Sequence, residues 1–567
     1  HVLLHLTSSS PPNILILLVD DMGYSDTAAL GATNVSTPHI NTLVSSGMKM
    51  THWISAASIC TPSRASIQTG RYPIRTGCLG NVERYRVIPT PANPGGLDSA
   101  TERSLARALK EQGNYSRAGY SGKWHLGINH VKQDRHFTPV AHGYDTFKGA
   151  PWTNAPMCAM DSDGRSLKYK SGPKYCFLTA NDTVIEMPLR IENFTKTITD
   201  HTVDFFRERA NARDHRNVTR PWFFFHSWFH VHTPLFTNRT NRGRSKNGKF
   251  GDNVEELDDS VGVIMNALKI YGFANNTFIV WTSDNGPYQE EGWDNSGRTN
   301  LYASSSAENE RWIGRMKGGK GQLFEGGIRM PGAVIWPGHI ASNSVSNIMV
   351  SSMDIFPTLM SLAGVNVDDA TYVDFPTIDG KNFLPVVLQT TNQTEHDVFL
   401  HYCGFNIIAA RVQGRFKVFW ATQKWYTNDI LNSSICVECC NGINPFSIIA
   451  TGAAASEVCG CQDKDLNWLD RPIVYDMNTD QLENYPINSE INWPKGTGTS
   501  YLNVVSKANV TRNKMKNLVP TKPNTSGAGI CTAGIPSGNR QPCCPGCSEL
   551  TLFGKCTDSK FQQCECG

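Results

Sequence analysis

No apolar run in this sequence reaches the roughly 18 to 20 residues needed to cross a bilayer as a helix; the longest, "NILILLV" and "PWFFFHSWF", have the length of strands. A membrane-spanning segment is therefore not expected. Charge is also sparse, at 18% of residues, and nearly balanced at a formal +3 without a long basic run. Neither nucleic acid nor an anionic membrane is implied as a partner. The glycine-rich "GGKG" lacks the spacing of a P-loop, and no Ser or Thr follows its lysine. What remains is a chain of 567 residues, 40% of them hydrophobic, long enough for a large core and for two or more domains.

Cysteine is not scarce. There are seventeen, most of them between Cys403 and Cys566 in close pairs such as Cys439/Cys440, Cys459/Cys461 and Cys543/Cys544. Such density predicts disulfides and an oxidising compartment. The short spacing in "PCCPGC" could instead suit zinc, but the histidines lie elsewhere and no finger repeat is present. Eleven Asn-x-Ser/Thr sequons, at Asn34, Asn114, Asn181, Asn193, Asn217, Asn238, Asn275, Asn392, Asn432, Asn509 and Asn524, agree with a secretory route. "HVLLHL" at the start reads as the remnant of a longer leader. The odd cysteine count leaves one without a partner, and in a secreted protein that one is a candidate for special chemistry.

The pattern along the chain is alternating α/β. "NILILLV" (13–19) reads as a buried parallel strand that stops at Asp20-Asp21. "FGDNVEELDDSVGVIMNALKIYG" places Val254, Leu257, Val261, Met265 and Leu268 at helical spacing and closes at Gly272. The strand "NTFIVWTSDNG" follows and ends in Asp284-Asn285. Open parallel sheets bind ligands beyond the carboxyl ends of their strands, so these two ends can share one site. Asp20, Asp21, Asp284 and Asn285 offer only hard oxygen ligands, which suit calcium first and magnesium second, and argue against zinc or copper. The plain alternative is that "DD" and "SDNG" are ordinary turns.

Three segments concentrate cations: "SGKWHLG" with Lys123 and His125, "FHVHTPLF" with His230 and His232, and "MKGGKGQLFEGG" with Lys317 and Lys320. Surface lysines are usually solvated, and His226, inside the apolar strand, reads as a core histidine. "CTPSRASIQTG" puts Cys60 ahead of Pro62 and Arg64 at the start of a helix, where the missing proline N–H costs little and the partial positive charge favours an anion.

Together "VDDMGYSD", "CTPSR", "TGRYPIRTG", "SGKWHLG", "TSDNG" and "GGKGQLFEGGIRMPG" resemble the type I sulfatase family. "HGYDTFKGAPWTNA", "FHVHTPLF", "SSMDIFPTLMSLAG" and "EHDVFLHYCG" are similar to its arylsulfatase and steroid-sulfatase branch, in a soluble secreted form. The likeness runs from about residue 13 to 488. Where steroid sulfatase has an apolar membrane hairpin, residues 161–220 here are polar. The resemblance implies an alkaline-phosphatase-like α/β sandwich with a mostly parallel central sheet and helices on both faces. It also implies a smaller C-terminal domain with a short antiparallel sheet, dividing the chain at 1–394 and 395–567.

The resemblance further implies hydrolysis of sulfate monoesters. In that family the signature cysteine, here Cys60, is converted to formylglycine by a formylglycine-generating enzyme. Its hydrate attacks sulfur, gives a covalent sulfo-enzyme and expels sulfate by elimination. The carried-over roles are Cys60, Arg64, Lys123, His125, His232 and Lys320 in catalysis, with Lys123, His232 and Lys320 also binding substrate. Asp20, Asp21, Asp284, Asn285 and residue 60 would hold calcium. Loss of the Cys60 sulfur would leave sixteen cysteines for disulfides. Secretion is the expected destination, with the lysosome as the alternative. A noncatalytic extracellular-matrix glycoprotein that binds sulfated polysaccharides is the second reading. A phosphoester hydrolase on the same fold is the third, disfavoured because Ser or Thr would be its nucleophile.

Overall fold

The computed structural model describes residues 11–79, 95–128, 137–153, 177–187, 189–212, 220–288, 297, 300–303, 311–367, 377–423 and 461–518. The cysteines at 158, 176, 436–459 and 531–566 and the sequons at Asn217, Asn432 and Asn524 lie outside them.

Ten strands form one sheet: β1 (Asn13–Val19), β2 (Met48–Met50), β3 (Arg117–Lys123), β4 (Thr146–Ala150), β5 (Leu178–Ala180), β6 (Thr183–Glu186), β7 (Trp222–Ser227), β8 (Thr277–Ser283), β9 (Gly332–Ile335) and β10 (Ser344–Ser346). Their spatial order is β10-β2-β9-β8-β1-β7-β3-β4-β5-β6. The centre, β8-β1-β7-β3-β4, is parallel throughout, while β9, β5 and β6 join antiparallel toward the edges. Continuous apolar runs are what such a strand needs, because both of its faces are covered. All seven residues of β1 are buried.

Alternation along β1 sorts the two layers of core. Leu15, Leu17 and Val19 pack with side chains of α1 (Pro38–Ser45), α4 (Phe194–Asn211) and α5 (Gly248–Ile270); Ile14, Ile16 and Leu18 pack with those of α2 (Cys60–Thr69), α3 (Leu105–Glu111) and α6 (Ile355–Leu362). Helices thus cover both faces, as expected. In α5, Val254, Leu257, Val261 and Leu268 are buried at the expected spacing and Met265 is partly buried.

A second sheet of four antiparallel strands, β11 (Val398–Cys403), β12 (Asn406–Val412), β13 (Phe416–Gln423) and β14 (Leu466–Asp476), follows in simple up-and-down order. Helix α7 (Tyr501–Leu518) packs on it, and its other contacts include Ile54, Ile59, Leu323 and Phe324 from connections between strands of the large sheet. A disulfide joins Cys403 to Cys461, and Cys78 is also disulfide-bonded; among the described residues Cys60 is the free cysteine. No helix among the described residues is long and apolar enough to cross a membrane.

Candidate active site

The register of β1 against β8 pairs Val19 with Ser283, so the next residues, Asp20 and Asp284, leave the sheet side by side. Asp21 turns at a φ of 57°, a left-handed conformation rare for a residue with a side chain. Its amide donates to Asp284 Oδ1 at 3.2 Å, and Asn285 Nδ2 donates to Asp21 Oδ1 at 2.7 Å. Two hydroxyls hold the Asp284 carbonyl: Ser55 at 2.6 Å and Ser63 at 2.5 Å.

Helix α2 begins at Cys60 itself, with Ile59 as its N-cap, so Cys60 lies in the first turn and is fully buried. Its Sγ is 3.5 Å from Asp20 Oδ1 and 3.9 Å from Asp21 Oδ1. One turn on, Arg64 reaches the same point. Its Nε and Nη2 both lie 2.8 Å from Asp284 Oδ2, its Nη2 is 3.4 Å from Asp20, and its Nη1 donates to the Lys123 carbonyl and to Ser227 Oγ. Lys123, at the end of β3, donates to Asp20 Oδ2 at 2.6 Å. Lys320 donates to Asp21 Oδ2 at 2.7 Å, and His232 Nε2 lies 3.6 Å from that oxygen. His125, with a φ of 57°, is held at its carbonyl by the Thr61 hydroxyl, one residue after Cys60.

The cluster gathers residues scattered from 20 to 320, and all of its side chains are buried. Burial raises the Asp284 carboxyl above its ordinary range, and neighbouring Asp20 pushes the same way. Burial also opposes the charges of Arg64 and Lys320, yet Asp284 and Asp20 hold the first, and Asp21 the second, well above their usual values. The Cys60 thiol is pushed far up by burial, so a thiolate is disfavoured there. His232 is driven well below its usual value by burial and by Lys320, and is neutral; since Nδ1 lies at 2.5 Å from the Thr233 carbonyl, it carries the proton.

A cation fits this arrangement. Asp20, Asp21, Asp284 and Cys60 each offer a ligand atom within 4.8 Å of the others, and Asn285 Oδ1 is buried without a hydrogen-bond partner. Oxygens on opposite sides of a bound calcium stand roughly 5 Å apart, twice its usual bond length.

Some candidates fall elsewhere. Lys317 lies over the rings of Phe324 and Tyr475 rather than among the carboxylates. His230 bonds Thr195 at 2.9 Å, and His226 bonds Thr202 at 2.7 Å, both within the core. Ser55, Ser63 and Ser227 carry no signal in the sequence for this role. Ser63 does sit inside "CTPSR", but a lone hydroxyl gives no signal of what it grips.

A family profile described as sulfatase matches residues 12–365, and one described as the C-terminal region of aryl-sulfatase matches 394–557. The chain is 30% identical to human steryl-sulfatase over 543 residues, covering 85% of each. It is 31% identical to an arylsulfatase of Hemicentrotus pulcherrimus over 485 residues, covering 84% of this chain and 78% of the other. Among solved structures, the PsFucS1 sulfatase from Pseudoalteromonas sp. superposes with a TM-score of 0.68 at 22% identity, over 91% of this chain and 92% of that one, a likeness of fold.

Proposed function

Because this chain belongs to the sulfatase family, in its arylsulfatase and steryl-sulfatase branch, it hydrolyses sulfate esters, and we propose that it does so at residue 60 with the side chains gathered there. The observation that carries the assignment is the setting of Cys60: in the first turn of a helix, beside the carboxylates of Asp20 and Asp21, and so deeply buried that its thiolate is disfavoured. A sulfur nucleophile suits that place poorly. An oxygen would complete a set of hard donors.

The family's formylglycine at position 60 and a divalent cation, calcium by the oxygen character of Asp20, Asp21, Asp284 and Asn285, supply an acidified hydroxyl for attack, a second hydroxyl for expelling sulfate, and polarisation of a sulfuryl oxygen. The protein's own groups do the rest. Arg64 and Lys123 fix the carboxylates and set positive charge beside the oxygens of residue 60. Lys320, kept charged by Asp21, offers its remaining N–H donors to the sulfate oxygens. His232 enters neutral; the negative charge of a bound sulfate raises its affinity for a proton, which it takes from solvent and gives to the leaving alkoxide, while Asp284 accepts the proton of the attacking hydroxyl. His125 accepts the proton of the second hydroxyl.

We divide the chain near residue 395, ahead of β11. We also favour a secretory route ending outside the cell over lysosomal delivery; the Cys403–Cys461 bond and the sequons support passage through an oxidising compartment. Mass spectrometry of the peptide spanning residue 60 should show the aldehyde or its hydrate, and turnover of a chromogenic aryl sulfate should exceed that of the matching phosphate. An intact thiol in an active preparation would refute the assignment.

A further inference from the structure

We propose that the C-terminal sheet is a working part of the active site, with Gln423, Lys417 and Arg411 as positioning residues for Lys320; this rests on the sulfatase reading above. Lys320 belongs to a segment, 317–328, that contains five glycines, two of them, Gly318 and Gly321, at positive φ. Such a backbone has many accessible conformations and little intrinsic preference for one. The conformation that brings Lys320 to Asp21 must be imposed from outside.

Part of the constraint comes from the large sheet's loops. Lys320 N–H donates to the Pro287 carbonyl at 2.9 Å, Gly321 N–H to the Ser58 carbonyl at 2.8 Å, and Gly286 N–H to the Gly327 carbonyl at 3.0 Å. The remainder comes from the other sheet. Gln423, the last residue of β13, donates from Nε2 to the Gly321 carbonyl at 2.7 Å, so Gly321 is gripped on one side by the residue two before Cys60 and on the other by the C-terminal sheet. Four residues on, Glu325 opens a helical turn (Glu325–Ile328) and is completely buried. Its Oε1 accepts from Arg411 Nη2 of β12 and, at 2.9 Å, from Lys417 Nζ of β13. Lys417 also lies 2.8 Å from Glu483, whose Oε2 accepts the Glu325 backbone N–H at 2.7 Å.

Stability alone does not account for this cluster. Apolar side chains of similar volume often serve a buried ion assembly's place as well or better, whereas ions fix one register between two surfaces. Burial by itself would favour a neutral Glu325, but Arg411 and Lys417 outweigh it and keep the carboxylate charged. The anchor therefore has directional bonds at both Gly321 and Glu325, flanking the segment that leads away from Lys320. A displacement of about 1 Å at a reacting group can cost on the order of a hundredfold in rate.

The test compares variants of the full chain, with aryl-sulfate turnover and thermal melting measured on each. Gln423→Ala and Lys417→Met should lower kcat/KM at least tenfold, with Lys417→Arg recovering part of the loss. Arg415→Ala, which breaks the Arg415–Asp476 pair at a half-buried place in the same sheet, should lower the melting temperature without changing kcat. In the Lys320→Ala background, Gln423→Ala should cost less than threefold more, because the residue it positions is gone. That non-additivity is not expected of a merely structural role. Should Lys417→Met fail to fold, Gln423→Ala still decides, since it removes a single hydrogen bond. Full turnover by Gln423→Ala, or a loss that multiplies with that of Lys320→Ala, overturns the proposal alone; a wild type that turns over no sulfate ester overturns it together with the sulfatase reading.

Discussion

Asp20, Asp21 and Asp284 each accept from a cation, yet their oxygens crowd together at the ends of β1 and β8, whereas Glu325 and Glu483 stand apart with Lys417 between them. Both clusters are buried, and each has as many basic as acidic side chains when Arg64, Lys123 and Lys320 are counted with the first and Arg411 and Lys417 with the second. Arrangement distinguishes them. Alternating signs keep the two carboxylates of the interface cluster apart. Three carboxylates turned toward one point, beside an Asn285 oxygen with no hydrogen-bond partner, give the strand-end cluster the donor set of a cation site even though its charges balance. Balance of charge is therefore a poor guide to role; what matters is whether like charges are separated by an opposite one or gathered at one point.

The largest effect expected from breaking this contrast is on turnover. Asp284→Asn, or removal of divalent ions with a chelator, should reduce aryl-sulfate hydrolysis by on the order of 10³-fold. In the chelated case divalent ion should restore it, and metal at a hundred times its Kd should raise wild-type stability by about 2.7 kcal/mol, measurable by melting, but not that of Asp284→Asn.

At the interface the consequence should appear in folding as well. Glu325→Gln leaves Arg411 and Lys417 facing a neutral side chain, and denaturant unfolding should show a loss of about 3–5 kcal/mol, the usual cost of breaking a buried pair. Asp284→Asn in metal-free protein should cost less than about 1 kcal/mol, because it relieves a crowded carboxylate. Equal losses at the two clusters would erase the distinction between them.

His52 adds a pH signature to the interface. Its Nε2 lies 3.1 Å from Arg411 Nη1, and burial, followed by Arg329, pushes its pKa down to about 4. The unfolded side chain titrates near 6.5, so the stabilisation is present above that pH and is lost as the pH falls toward 4. The whole effect is on the order of 3 kcal/mol, and His52→Gln should flatten this limb of the stability curve. A smaller slope of opposite sign should come from Glu102, paired with Arg71 outside both clusters. Burial raises its pKa to about 7 against the pull of Arg71. Its contribution is full below about 4.5 and is lost as the pH rises through 7, about 1–2 kcal/mol that Glu102→Gln should remove.

The sequence made the parallel strands and the acidic strand ends legible because a buried strand must be continuously apolar and must stop where carboxylates begin. "NILILLVDD" and "TFIVWTSDN" say both. Helix α5 was equally clear from its spacing. The cationic side of the site was legible through family resemblance only: Lys317 and Lys320 stand in the same glycine-rich loop, yet one covers aromatic rings and the other reaches Asp21. Neither the serines that hold the Asp284 carbonyl nor the Glu325 cluster could be read. Their meaning lies in pairings such as Glu325 with Lys417, 92 residues apart, which no local pattern encodes.

The complete burial of Cys60 also sets a schedule. Arg64 finds Asp284 only after another 220 residues have been made. At about 5–20 residues per second, synthesis takes on the order of ten to forty seconds to cover that stretch. Through that interval the first turn of α2 still lacks the partners that later enclose it. An enzyme that had to reach the sulfur would have its opportunity then, before folding closes it.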